Sequence, residues 1–302
     1  RAESPVHIGY KQIGILKTTR YYIPGRAMWS AITANLTRAL SNNPSHKDYQ
    51  DVGKFVRESI RTSYFYPALK KDESIQCNDY SDVEIDSYIV FLPRYTKEGL
   101  KFGELFKEEF ERRFISSIVS TALDASTKSA EEGSLHEIEF ICNKVRLESR
   151  IHNVYWIGYL FINSSLIEEK KVKIKGKPID LQKALEVIHV GGERNYGFGR
   201  LSLCRLEECK SNEIFKMYEV YLDKDDPVLE CKEYVPSHVR VEENLLICGE
   251  IEPLVGLDWG SRGAGGESRS MGVFFTPGSC LDAKKYEIKE YGTLRAIRSN
   301  TS

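Results

Sequence analysis

The eleven residues GGERNYGFGRL, 191–201, carry four glycines within nine positions, interleaved with Arg194, Asn195, Tyr196, Phe198 and Arg200. Glycine has no Cβ, so the amides of Gly191, Gly192, Gly197 and Gly199 can approach a phosphate closely and form an anion-binding nest. The arginines add positive charge, and aromatic rings of this kind stack on bases. The plainer alternative is a helix C-cap and a tight turn into a strand. Two other nucleotide-binding readings fail on context. The phosphate loop of NTPases requires Lys-Ser/Thr after its last glycine and then a helix, whereas Phe198-Gly199-Arg200 leads into the strand-like RLSLCRL. The dinucleotide fingerprint fails for the same reason.

Upstream of the loop, Asp180 stands as an N-cap before LQKALEVIHV, whose Leu181, Ala184, Leu185 and Ile188 share one helical stripe. HEIEFIC and VYWIGYLFIN are rich in β-branched and aromatic residues and read as strands. FISSIVSTAL is a strand or the continuation of a short helix striped by Leu105, Phe106, Phe110 and Phe114. Near the start, Pro24-Gly25 is a turn, and Met28, Ile32, Leu36 and Leu40 recur every four positions, which predicts a helix over 27–40. The order helix, strand, strand, helix, strand, with a strand supplied at the N-terminus, is βαββαβ. The chain starts at Arg1 without Met, and an extra leading strand is expected upstream.

The fold class expected is therefore α+β, with a ferredoxin-like, RNA-recognition-motif-like core over 1–208. Residues 42–103, with weaker periodicity and several prolines, read as a large insertion. Residues 209–302 read as a smaller β-rich C-terminal region, with a degenerate second ferredoxin-like domain as an alternative. Within it, the glycine-heavy 256–272 reads as a long mobile loop.

The 302 residues are 41% hydrophobic and 29% charged, enough for a real core. A net charge of -1 excludes a binder that grips nucleic acid through its overall charge. The charge is not evenly spread: residues 1–40 hold Arg1, Lys11, Lys17, Arg20, Arg26 and Arg38 against Glu3 alone. No apolar run has a membrane helix's length, so a soluble protein without a membrane partner is expected. Seven scattered cysteines with no CxxC argue against a zinc ribbon and for free thiols in a reducing cytosol, and the apolar neighbours of Cys142 and Cys248 suit buried ones.

With these segments in view, the chain resembles the CRISPR-associated RAMP superfamily. GGERNYGFGRL resembles its glycine-rich loop. SPVHIG (4–9) followed by IPGRAMWSAITANLTRAL (23–40) resembles its opening turn and first-helix start, although Trp29-Ser30 stands where the family often has glycine. ALDASTKSAEEGSLHEIEFI (122–141) resembles its central segment at Asp124, Thr127, Gly133, Leu135 and Glu139. The resemblance implies a protein that grips CRISPR RNA, usually as a non-catalytic subunit of an effector complex, here type III-like. Its implied partners are CRISPR RNA, with the target RNA as a further candidate, and other effector subunits; no cofactor is implied. The RNA-binding candidates are Gly191, Gly192, Arg194, Asn195, Tyr196, Gly197, Phe198, Gly199 and Arg200, joined by His7, Lys11, Arg20 and Arg26 of the basic opening segment.

The alternative is a metal-independent endoribonuclease that processes precursor CRISPR RNA. Such chemistry needs a base and an acid, and His46, beside Lys47 and Tyr49 in what reads as a polar loop, is its candidate. Asp48, Asp51 and the acidic run 79–86 are candidates for target cleavage of the kind the family's backbone subunits perform. That run and Asp223, Asp225 and Asp226 lack calcium-loop spacing and read as solvated loop acids. No other hydrolase signature occurs.

Overall fold

The computed structural model describes residues 1–72, 80–81, 83–124, 126–168, 170–223, 226–242, 247–260 and 263–297. It is a mixed α+β fold. Helix α1, Gly25–Leu40, begins after Pro24 and buries Met28, Ile32 and Leu36 of the expected stripe, with Ala31 beside them, while Leu40 at its end is half-buried. It stops at Ser41, which turns to extended backbone. Helix α2, His46–Ser59, follows at once. Ser45 and Asp48 form a capping box that satisfies the first free amides, so the polar stretch around His46 is a helix start rather than a loop. The Trp29 indole donates to the Gly53 carbonyl at 2.9 Å and fastens α2 to α1.

Two further helices are short: α3, Lys107–Phe114, and α4, Leu181–Ala184. The helix expected across LQKALEVIHV is confined to its first turn, and Val187–His189 is a strand paired with Arg200–Ser202. The β-branched Val187 and Ile188 gain cross-strand partners there, and Asn35 of α1 draws the Ala184 and Val187 carbonyls at 2.8 and 2.6 Å. Tertiary contact thus overrides helical spacing.

Three sheets carry the body. In the first, the strand order is Gly9–Ile13, Leu16–Thr19, His136–Ile141, Ile115–Ser120. ISSIVS is therefore a strand, running straight on from the helix that ends at Phe114, and it is the partner of HEIEFI, which does not pair with VYWIG. In the second, Arg150–Ile157 lies between Lys144–Leu147 and Tyr66–Lys70, with Tyr88–Val90 and Glu84–Ile85 beyond. Tyr66, Ala68 and Leu69 are wholly buried, so part of the 42–103 segment is core. The N-terminal segment runs between these parts. Ala2 donates to Val154 O at 2.9 Å and pairs with Leu201, while Val6 pairs with Ile141.

After residue 208 the described residues hold no α-helix and build an eight-stranded sheet. Its last two strands, Ile251–Gly260 and Gly263–Phe275, form a long antiparallel ribbon where a mobile loop was expected. A ladder of backbone hydrogen bonds can form at glycine as at any residue except proline, and composition alone hid it. This sheet shares one apolar cluster with Tyr22, Tyr64, Tyr66, Val90 and Leu92 of the preceding chain.

The same junction holds a buried polar network. Arg20 donates to Glu252 Oε1 at 2.5 Å, and His238 Nε2 lies 2.5 Å from that oxygen. The Tyr64 hydroxyl meets His238 Nδ1 at 2.7 Å, which fits a neutral ring accepting at Nδ1 and donating at Nε2. Burial holds the His238 pKa below its usual 6.5. Burial opposes ionisation of Glu252, but hydrogen bonds from His238 and Arg20 outweigh it and bring the carboxyl down to about 2.

Stability should fall as pH drops below about 6.5, because the unfolded chain takes up a proton on His238 that the folded chain refuses. A second loss follows below 4.5 toward about 2, as Glu252 is protonated. Thermal unfolding across this range checks both limbs. Glu252→Gln leaves Arg20 buried without a counter-charge, should cost about 3 kcal/mol, and should flatten the lower limb.

Candidate functional site

The glycine-rich loop is the turn of the Val187–His189/Arg200–Ser202 hairpin. Its shape is set by the opening segment SPVHIG. Gly192 donates to the His7 carbonyl at 3.0 Å, Gly199 donates to Pro5 O at 2.7 Å, and Val190 donates to Gly199 O at 2.9 Å. Gly191 and Gly199 both have positive φ, and a Cβ on them would lie 2.1 Å from His7 O and 2.0 Å from Val190 O. Only glycine fits either place. Gly197 has φ +81° but open space around it, so it answers to backbone conformation alone.

The clamped backbone leaves its side chains outside. Gly192, Arg194, Asn195, Tyr196, Gly197 and Arg200 are exposed, whereas Phe198 turns inward and is buried. Phe198 packs on Phe140 with centroids 5.1 Å apart and is the anchor beneath the loop. Tyr196 is held by its hydroxyl, 2.8 Å from His136 Nε2 and 3.3 Å from Ser120 Oγ. His136 Nδ1 lies 2.8 Å from Ser134 O, so the ring donates there and accepts from Tyr196. The Tyr196 ring keeps 41% of its surface open, enough for a flat partner.

The electrostatics are one-signed. Burial and the nearby charges of Arg194, Arg200 and Arg38 lower the His189 pKa, and desolvation with Arg38 lowers that of Arg194. Arg38, on the last turn of α1, is thus a charge that both groups feel. Arg194 also donates to His189 O at 3.0 Å, which fixes its guanidinium beside the loop. Glu193 is taken up by Lys17 at 2.8 Å. Crowded like charges raise the energy of the unliganded loop, and a polyanion relieves it.

The other expected residues divide. His7 lies against the loop through its backbone, but its ring is buried, with Nδ1 2.6 Å from Glu139 O, so it is part of the scaffold. Lys11 is exposed on the Gly9–Ile13 strand, 4.6 Å above the Tyr10 ring. Arg20 is committed to Glu252 and is removed from the site. Arg26 is turned to the C-terminal ribbon, where it donates to Leu257 O at 2.9 Å and sits 5.0 Å from the Tyr291 ring centroid. Gly256 makes room for it, since a Cβ there would meet the guanidinium at 2.2 Å. Sequence displays the charge of both arginines but not the distant partners that occupy them.

In the central motif, Asp124 Oδ1 accepts from the Ser126 and Thr127 amides, and Glu139 accepts from the Thr19 amide at 3.1 Å. Tyr22 is buried, and Tyr21 is half-buried, donating to Glu111. His46 is the exposed first residue of α2. Asp48 caps that helix, and Asp51 pairs with Lys175 at 2.8 Å. Of the acidic candidates, Glu84 pairs with Lys71, Asp86 with Arg205, and Asp226 with Arg61 and Lys289. Asp79, Asp82 and Asp225 lie outside the described residues. No group of three or more metal-ligating side chains occurs among the described residues. Nor is any helix among them long and apolar enough to cross a membrane. Cys248 is exposed and Cys142 half-buried; Cys231 is the buried thiol, and Cys77 lies outside the described residues.

A sequence model of the RAMP superfamily matches residues 1–202, and the chain belongs to that superfamily. The match takes in the opening segment, the central motif and the glycine loop, the three parts whose contacts are described above. Two solved structures of a type III-B Cmr-beta complex contain similar chains. One complex is bound to cognate target RNA and AMPPnP, the other to cognate target RNA. The identities are 12% and 11%, over 93% of this chain and 84% of those chains, with a TM-score of 0.49 for each. No curated protein sequence matches.

Gly199→Ala should cost about 3 kcal/mol through overpacking and left-handed strain, and should free the loop for proteolysis. Gly197→Ala should cost only about 1 kcal/mol. Limited proteolysis with thermal unfolding separates the two.

Proposed function

We propose that this chain is a non-catalytic, RNA-binding subunit of a type III-like CRISPR effector complex that holds guide RNA on the glycine-rich loop. The observation that carries the reading is the cluster of Arg38, Arg194 and Arg200 about His189, beside a clamped loop that presents Tyr196. Phosphates answer the like charges and a base answers the exposed ring, so RNA satisfies both. Backbone contacts of this kind give affinity and register with little sequence preference. Lys11, on the neighbouring hairpin, extends the same positive surface.

The fold reading that goes with this proposal is a ferredoxin-like core. Residues 1–8 act as its first strand, between Arg200–Ser202 and Arg150–Ile157, with Tyr66–Lys70 on the outside. The bonds of Ala2 to Val154 and Leu201 and the Arg150–Ile157/Tyr66–Lys70 ladder support that order. Helices α1 and α4 supply the two crossovers. On this reading the insertion is the chain between Lys70 and Arg150, and the region after 208 faces neighbouring subunits. A cytoplasmic site of action follows from the partner.

End-labelled repeat-containing RNA, mixed with the chain in EDTA, tests the proposal on parallel binding and cleavage gels. Binding should weaken with salt and leave the RNA intact. Arg194→Ala and Arg200→Ala should each lower the salt slope by about 0.7, and weaken binding about fourfold near physiological salt. Tyr196→Ala should cost about 1–3 kcal/mol of binding with the slope unchanged. Unchanged affinity in both arginine variants at low salt overturns the site. A discrete cut lost in His46→Ala overturns the non-catalytic assignment.

A further inference from the structure

The base of the C-terminal ribbon holds two cysteines that the RNA reading does not use. Ile247–Cys248 precedes the ribbon and Cys280–Leu281 follows it, and the two short strands pair antiparallel with Cys248 opposite Cys280. We propose that Cys248 and Cys280 form a dithiol oxidation site, which a hydroperoxide converts to a cross-strand disulfide.

Directly opposed residues of an antiparallel pair have Cβ atoms about 4.5–5.5 Å apart, and a disulfide needs about 3.5–4.5 Å. The closure required is small, and the register already sets the two residues face to face. Their backbones are held in place by the rest of the fold. Val235 donates to Ser279 O at 2.9 Å, Tyr95 donates to Gly278 O at 2.9 Å, and Tyr234 pairs with Cys280. Gly249, with φ +141°, removes the side chain that would otherwise meet Ser279 Oγ at 2.2 Å, so the strands can close beside the sulfurs.

The two thiols differ in a way that orders the chemistry. Cys248 is exposed and Cys280 half-buried. Burial and then the neighbouring Cys248 push the Cys280 thiol up, so the exposed Cys248 is the sulfur a peroxide meets first. The Cys248 thiolate attacks the terminal oxygen of the hydroperoxide. The O–O bond breaks, the alkoxide leaves and takes a proton, and Cys248 becomes a sulfenic acid. The Cys280 sulfur then attacks the Cys248 sulfur and displaces hydroxide. The thiol proton converts it to water, and the S–S bond forms. Two electrons pass from the thiols to the peroxide. The product ties together the two ends of the chain segment that contains the whole ribbon.

The full chain treated with graded hydrogen peroxide, alkylated and digested without reduction, tests this. The expected result is a disulfide-linked peptide joining Cys248 to Cys280 at the lowest peroxide that reacts, abolished by thiol reductant. Oxidised wild type should unfold several degrees higher than reduced wild type. Cys248→Ser should show neither the link nor the shift. Cys280→Ser should instead accumulate a Cys248 sulfenic acid that dimedone traps. The proposal is overturned if Cys204 and Cys209 oxidise with no Cys248–Cys280 link. It is overturned equally if the link forms no better in the native chain than in denaturant, since the fold would then contribute nothing.

Discussion

The carboxylate of Glu252 receives the guanidinium of Arg20 and the ring of His238 within 2.5 Å, under a roof of Tyr22 and Tyr64. The C-terminal sheet meets the opening segment at this oxygen and at the aromatic cluster around it, and Arg26 on Leu257 O adds a second tie. A buried ion pair is poor at adding net stability, because desolvation offsets most of its attraction. It is effective at excluding misalignment, since any slip leaves a charge buried alone. The network also decides what Arg20 cannot do: a guanidinium that balances Glu252 is not available to a phosphate.

The glycine loop depends on the same opening segment by a different route. Carbonyls of Pro5 and His7 take amides from Gly199 and Gly192, so the loop is held by backbone and most of its side chains stay exposed. In a chain of net charge -1, three arginines still gather about His189. Several acids elsewhere are taken up in ion pairs with neighbours, while no ion pair forms at Arg38, Arg194 or Arg200 among the described residues. Field strength at a groove follows the local arrangement, not the sum.

Much of this was legible in residue spacing. The stripe of α1 gave its buried face, and the four glycines gave the loop, its exposure and its arginines. Helix α2 was missed although Ser45-x-x-Asp48 is a readable capping signal; the prolines and polar residues around it masked the pattern. The ribbon was missed because glycine-rich composition reads as loop, and only the ladder with Ile251–Gly260 shows otherwise. Nothing in the sequence placed His136 beside Tyr196, sixty positions away. Arg38 stood in the charge count, but its neighbours at the loop come from α1 docking on the Val187 hairpin.

The sequence by itself determined the family, the helix that opens the fold, and the loop that carries the charge and the rings. Those features are local: they rest on spacing of a few residues, which the chain carries however it folds. Tertiary structure alone decided which strands pair, which arginines are spent on distant partners, and that Cys248 faces Cys280. Each of those is set by contacts between distant segments, where burial and pairing energies outweigh local preference.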